Sequence, residues 1–191
     1  DRFYLEAASG MGQSYRKSVN GTTNVLHYYA LGGGLQTKAG NMVLSLGVNL
    51  RVDFLRNLIN RQVIDKATDH RIDTRYNQLY SFEAPLSLGY NFGRNTFGMV
   101  VTPGFQTAFS GKEEETQNSE IIRTDQVSGK VDDSKTLTME TGIFYRRTLA
   151  PQWQFGCALN ADILRPFGAP TFAGQQRLLP LNGQISLRYT F

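Results

Sequence analysis

The sequence is short of the features on which most functional readings rest. One cysteine, Cys157, leaves no partner for an internal disulfide. Two histidines, His27 and His70, are too few for Cys/His metal spacing, and no cofactor motif accompanies them. No phosphate-cradling loop or nucleophile elbow occurs; "LGGGLQ" (31–36) lies inside a strand-like stretch, where it marks tight packing or strong coiling. No stretch approaches the ~18 consecutive apolar residues of a transmembrane helix, which excludes a helical membrane protein. The net charge of +4 is mild and dispersed, so no nucleic-acid footprint stands out. No signal peptide is visible: the chain opens at "DRFYLEAAS", already strand-like, and reads as a processed form or an excised domain.

What is present is alternation. "MVLSLGVNLRVD" (42–53) places Met42, Leu44, Leu46, Val48, Leu50 and Val52 on one face and Ser45, Gly47, Asn49, Arg51 and Asp53 on the other. The same period of two recurs in 80–92, 97–109, 136–147, 152–164 and the closing "GQISLRYTF" (183–191), and more weakly in 2–13 and 25–37. That makes eight strands, each near the ~9–11 residues that cross a membrane at a tilt. Joins 38–41, 93–96 and 149–152 are short; joins 14–24, 54–79, 111–135 and 165–178 are long, and the two kinds alternate. In an up-and-down barrel all tight turns then lie at one end and all long loops at the other, the asymmetry of outer-membrane barrels.

The polar face decides between lipid and water. A soluble barrel turns its polar face outward and fills it with Lys and Glu. Here that face is Gly, Ser, Ala, Asn, Gln and Thr with a few charges and no Lys, which suits a confined lumen. Phe3, Phe92, Phe97, Trp153, Tyr189 and Phe191 gather at the turn end of the apolar face and Tyr29, Tyr80 and Phe109 toward the loop end, as two interfacial girdles. The expected fold is all-β: an eight-stranded transmembrane up-and-down antiparallel barrel over 1–191, alone or as the C-terminal module of a longer protein, in the bacterial outer membrane. Pro85, Pro103 and Pro180 fall inside strands, so bulges or strand ends are expected there.

"YSFEAPLSLGYNFG" (80–93) is similar to the strand–Pro–apolar–Tyr–turn segment of the PorT-like outer-membrane barrels of the Bacteroidetes, and "VVTPGFQTAF" (100–109) resembles the strand that follows it there. The closing "LRYTF" resembles the aromatic-ended C-terminal signal read by the barrel-assembly machinery, with Tyr189 and Phe191 in the signal positions. The resemblance implies an outer-membrane barrel, in some cases attached to a larger envelope or signalling protein.

Six inward charges are the candidate site residues. Glu6, Arg146 and Arg188 fall near the periplasmic end; Arg51, Glu83 and Glu140 fall higher, with Asp162 nearby. Closure brings Glu6 to Arg188, and strand adjacency brings Arg51 to Glu83, so two ion-pair clusters are expected to offset charges that are costly to bury unpaired and to fill the lumen. No catalytic residue, metal ligand or cofactor is assigned. His27 takes the outward parity; "TDHR" (68–71) and "DD" (132–133) resemble the dyads of omptin proteases but are common loop dipeptides. Residues 54–66 carry Phe54, Leu55, Leu58, Ile59 and Val63 at helical spacing, which reads as a loop helix packed over the barrel mouth or, with less weight, a short amphipathic helix at the outer rim against lipopolysaccharide or a partner. Loop 111–135, with seven acids against four bases, is expected to be mobile and solvated, with a β-hairpin around Val127–Val131. The function expected is a non-enzymatic membrane anchor or accessory subunit working through its loops or periplasmic N-terminus. Its partners are outer-membrane lipid and lipopolysaccharide, the assembly machinery, and a protein at the loops or periplasmic side. A narrow gated pore, a lipid-modifying enzyme and a soluble lipocalin-like binder remain as alternatives.

Overall fold

A computed structural model describes residues 2–16, 24–130, 137–163 and 177–191. Ten strands are present: β1 (Arg2–Arg16), β2 (Asn24–Ala39), β3 (Met42–Asp65), β4 (His70–Glu83), β5 (Leu86–Phe92), β6 (Asn95–Gln117), β7 (Glu120–Lys130), β8 (Leu137–Ala150), β9 (Trp153–Asp162) and β10 (Arg177–Thr190). Every pairing is antiparallel, and the order runs round a closed eight-strand ring. β4 and β5 share one stave, and β7 pairs with β6 above β8.

Closure follows from the alternation. β10 lies beside β1 with Glu6 opposite Arg188 and Leu5 opposite Tyr189, and the Phe191 amide donates to the Phe3 carbonyl at 2.9 Å. No strand edge is left open to lipid at the seam, where an unpaired amide would cost several kcal/mol, on the order of 2–7. The three short joins are two-residue turns, Gly40–Asn41, Gly93–Arg94 and Pro151–Gln152. Gly40 (φ 60°) and Gly93 (φ 66°) occupy the left-handed region such turns need.

The prolines sit where the ladder is already interrupted. Pro85 falls between β4 and β5; the register runs straight through, and the Pro85 carbonyl accepts from the Gly47 amide at 2.9 Å. Pro103 lies across from that gap and accepts from the Ala84 amide at 2.8 Å. Pro180 lies at a register shift, where Leu178 faces Tyr15 and Leu181 faces Gln13.

Burial is inverted relative to a soluble barrel. Leu31 is 67% exposed and Phe3 68%, and Leu5, Leu44, Leu46, Val48, Leu50, Leu86, Met99, Ile185 and Leu187 share that outer belt. Ser45, Ser81, Ser87, Thr96, Thr138, Asn160 and Asn182 are buried inside. A continuous apolar belt of this kind is stable only in lipid, which rules out the soluble lipocalin-like alternative. Phe3, Phe92, Phe97, Trp153 and Phe191 are exposed at the turn end, with Tyr189 half-buried between Trp153 and Phe191 at centroid distances of 4.9 and 5.0 Å.

Of two expectations about the long joins, one fails and the other shifts in position. Residues 54–65 are not a helix: β3 continues to Asp65, paired with β4. The helical spacing came from a register shift between Phe54 and Leu58, which breaks the period of two. Loop 111–135 is likewise a hairpin, β6 to Gln117 and β7 from Glu120, with its turn at Asn118–Ser119 rather than near Val127; residues 131–136 lie outside the described residues. Both turn residues have positive φ (51° and 67°), the geometry of a tight hairpin turn. Most of joins 14–24 and 165–178 also lies outside the described residues.

The result is a four-stranded wing, β3–β4–β6–β7, continuing upward from the barrel. Its strands run about ten residues past the tyrosine girdle, or roughly 25 Å of height at ~3.3 Å per residue and ~40° tilt. The two hairpin tips are tied: Asn118 N–H donates to Thr68 O at 2.7 Å, and Ser119 Oγ to Asp69 Oδ2 at 3.2 Å.

Candidate functional site

The inward charges form two networks at different heights. At the periplasmic end Arg188 donates through Nε to Glu6 Oε2 (2.6 Å) and through Nη1 to Gln36 Oε1 (3.1 Å) and Ser45 Oγ (3.2 Å). Its guanidinium carbon lies over the Tyr4 ring, 3.7 Å from the centroid. Arg146 is 3.8 Å from the same Glu6 carboxylate and stacks on Phe144 at 4.3 Å. Two guanidiniums thus share one carboxylate.

Higher up, Arg51 is held between three carboxylates: Asp53 Oδ1 at 2.8 Å, Glu83 Oε1 at 2.9 Å and Glu140 Oε1 at 3.0 Å. Asp162 pairs across from Glu140 in the wall. Arg51 covers the Tyr28 ring at 3.7 Å, and the Tyr28 hydroxyl donates toward Asn182 Oδ1 and Gln184 Oε1, 2.9 Å from each. Neither network is neutral in itself, in the sense that the residues assigned to each already imply. The upper one has excess carboxylate and the lower one excess guanidinium.

The geometry closes the lumen. Tyr28 is 2% exposed and Arg188 3%. Between the networks lies a cavity of about 50 Å³, bounded by Glu6, Arg146 and Arg188 on one side and Glu83 and Glu140 on the other. At ~10–15 Å³ per water centre this holds a few waters. Gly10 and Gly47 make the plugs possible, since a Cβ on either would run into the Tyr28 ring or the Tyr4 hydroxyl.

The two tyrosine plugs were missed in the sequence because aromatics on strands read as lipid-facing; Asp53 was placed on the inward face but not joined to Arg51. Tyr4 does share the parity of Glu6, which was the available signal. His27 faces outward, stacked on Phe54 at 5.0 Å, away from any inward carboxylate. His70 opens β4, its Nε2 2.7 Å from Glu115 Oε1. Asp132 and Asp133 lie outside the described residues. Among the described residues no group of three or more His, Cys, Asp or Glu is placed to hold a metal ion.

Wing charges are arranged differently. Arg61 makes a bidentate pair with Asp73 (2.7 and 2.9 Å), Arg71 meets Asp69 (2.8 Å), and Lys112 meets Glu114 (2.6 Å). The Asp73 partner raises the Arg61 guanidinium above its ordinary range, chiefly by hydrogen bonding, and Lys112 lowers Glu114 in the same way. At the tip, Ala67 N–H and the Thr68 hydroxyl bond Asp65 and hold its carboxyl below the usual range.

No family model matches the chain, and no curated protein sequence matches it. Solved structures do. Neisserial surface protein A superposes with a TM-score of 0.54 at 7% identity, covering 99% of this chain and 97% of that one. Ail, the attachment invasion locus protein of Yersinia pestis, gives 0.49 at 8% identity with 98% of each covered. The outer-membrane protease OmpT of Escherichia coli gives 0.37 at 9% identity with 100% and 97% covered. At such identities the first likeness speaks to fold alone. Taken with the apolar belt, the chain is a β-barrel of the bacterial outer membrane.

Proposed function

We propose that this barrel is a non-enzymatic membrane anchor or accessory subunit that works through its extracellular wing or its periplasmic N-terminus. One observation carries the reading. The lumen is filled by Tyr4, Tyr28 and their guanidinium partners, while a tied four-stranded wing stands outside the membrane. A barrel built that way spends its interior on stability and leaves its outer surface for recognition. The likeness of residues 80–109 to PorT-like barrels supports the same role, as a subunit of a larger envelope or signalling assembly.

The reading is tested by complementation of a deletion strain. Replacing β3–β4 and β6–β7 above the girdle with tight turns should abolish rescue while leaving a folded, heat-modifiable barrel. Glu83→Ala with Glu140→Ala should rescue wherever the barrel still assembles. Rescue by the wingless barrel, with loss in an assembled lumen variant, would overturn the proposal in favour of the gated pore.

A further inference from the structure

The pairing register sorts the wing charges onto two faces. Tyr80, Gln78 and Ser110 share the lipid-facing side, joined by Tyr80 Oη to Gln78 Oε1 (2.7 Å) and Ser110 Oγ to the same oxygen (3.2 Å). Tyr76 and Phe109, 5.1 Å apart, take the opposite side, over the barrel mouth, so Phe109 is not in the outward girdle expected of it; the register shift at Thr107 reverses its face. Alternation from these anchors puts Lys130, Arg75, Lys112, Arg61 and Arg71 on the outward face. Asp73 and Glu114 join them there, and Asp69 reaches Arg71 from the turn, which leaves a net charge of +2. The mouth-side face carries Asp65, Glu113, Glu115, Glu120 and Asp125 against Arg123, a net −4 with His70 left out of the count.

Height matters as much as sign. Lys130 sits in the Tyr80 row, at the girdle. Arg75 and Lys112 face each other two outward rows higher, roughly 10 Å above the tyrosines once ~40° tilt is allowed for. The headgroup layer is about 5–8 Å deep, and both side chains are long enough to reach down into it. Arg75 and Lys112 are also like charges directly opposite one another, an arrangement that destabilises a sheet unless an anion lies between them. Lys112 has Glu114 as a partner; among the described residues Arg75 has no ion pair and is exposed.

We propose that the outward root of the wing, Lys130 with Arg75 and Lys112, is a docking site for phosphorylated lipid headgroups of the outer leaflet. The face is the direct upward continuation of the lipid-facing wall, so its occupant is the lipid beside it. Headgroup phosphates neutralise the Arg75–Lys112 pair and fix the wing's lean against the membrane. The mouth-side face, of opposite charge, is turned from the bilayer by the same contact and left free. The proposal does not depend on whether the wing also recruits a protein.

The test uses the full chain in phosphatidylcholine nanodiscs doped with bisphosphorylated lipid A or with the same lipid stripped of both phosphates. Retained lipid is counted by native mass spectrometry. Wild type should prefer the phosphorylated form by about tenfold or more, and R75Q/K112Q/K130Q should lose that preference. R75K/K112R should keep it, which separates charge from folding, and Arg71→Gln, higher on the same face, should change it less than about twofold. Equal retention of both lipids by wild type, or an unchanged preference in the triple variant, would overturn the proposal. Soluble inositol hexakisphosphate should compete poorly. Equal binding of that free polyanion in lipid A-free discs would assign the site to soluble phosphates and overturn the lipid assignment.

Discussion

Arg51 and Arg61 lie on the same strand, β3, and both meet carboxylates at under 3 Å, yet they do different work. Arg51 is buried in the lumen with three carboxylates and a tyrosine ring around it. Arg61 stands in the wing with 43% of its side chain exposed and one partner, Asp73. Inside the barrel a charge that loses its partners cannot find water, so the network is an all-or-nothing structural part. In the wing water replaces any lost partner, so single pairs matter little and the pattern of sign across a face matters more. The same chemistry therefore seals the barrel and decorates the wing.

Breaking that comparison at its strongest point means Arg51→Met. It strands Asp53, Glu83 and Glu140 without a cation and should cost about 3–5 kcal/mol, read as a lower midpoint in urea unfolding from lipid vesicles. Adding Glu83→Gln and Glu140→Gln should restore part of the loss. Next in size is Gly10→Ala, which pushes a methyl into the Tyr28 ring and should cost ~1–3 kcal/mol. That cost should vanish in a Tyr28→Ala background; persistence there would mean that Gly10 serves something other than the plug. Deleting Phe191 removes one backbone hydrogen bond to Phe3, about 1 kcal/mol, but should slow assembly in cells far more than it lowers the folded barrel's stability. On the wing, Arg61→Ala should shift the same midpoint by less than ~1 kcal/mol, and a larger shift would erase the contrast with Arg51.

The smallest expected effect lies at the wing tip. The Asp65 carboxyl is held low by the Ala67 amide and Thr68 hydroxyl, so its contribution is present above the ordinary Asp value, about 3.9. It fades as pH falls through the lower folded value. The protection of the Ala67 amide, its exchange rate relative to the intrinsic rate at each pH, should fall on acidification in the wild type. Asp65→Asn should lose that pH dependence.

Much of this architecture was legible because a barrel in lipid has to alternate. The run from Met42 to Asp53 and the run from Gly183 to Phe191 each carry their face assignment in parity alone, and parity with closure placed Glu6 beside Arg188 and Arg51 beside Glu83. What parity could not carry was anything beyond a bulge. The shift between Phe54 and Leu58, and those at Asn77 and Thr107, reset the faces and hid the wing as loops. The plugs were hidden for a different reason. Tyrosine is at home both at a lipid interface and over a guanidinium, and only the glycines opposite, Gly10 and Gly47, distinguish the two. The sign of the imbalance between the networks was in the parity and height of these residues; what was not legible was that Asp53 also meets Arg51.

The central claim is that the interior is sealed and the working surface lies outside. Single-channel recording of the full chain in planar bilayers tests it most directly. The sealed lumen predicts conductance indistinguishable from protein-free bilayers, for wild type and for Glu83→Ala with Glu140→Ala alike. Discrete, reproducible conductance steps from the wild type that change in the double variant would contradict it.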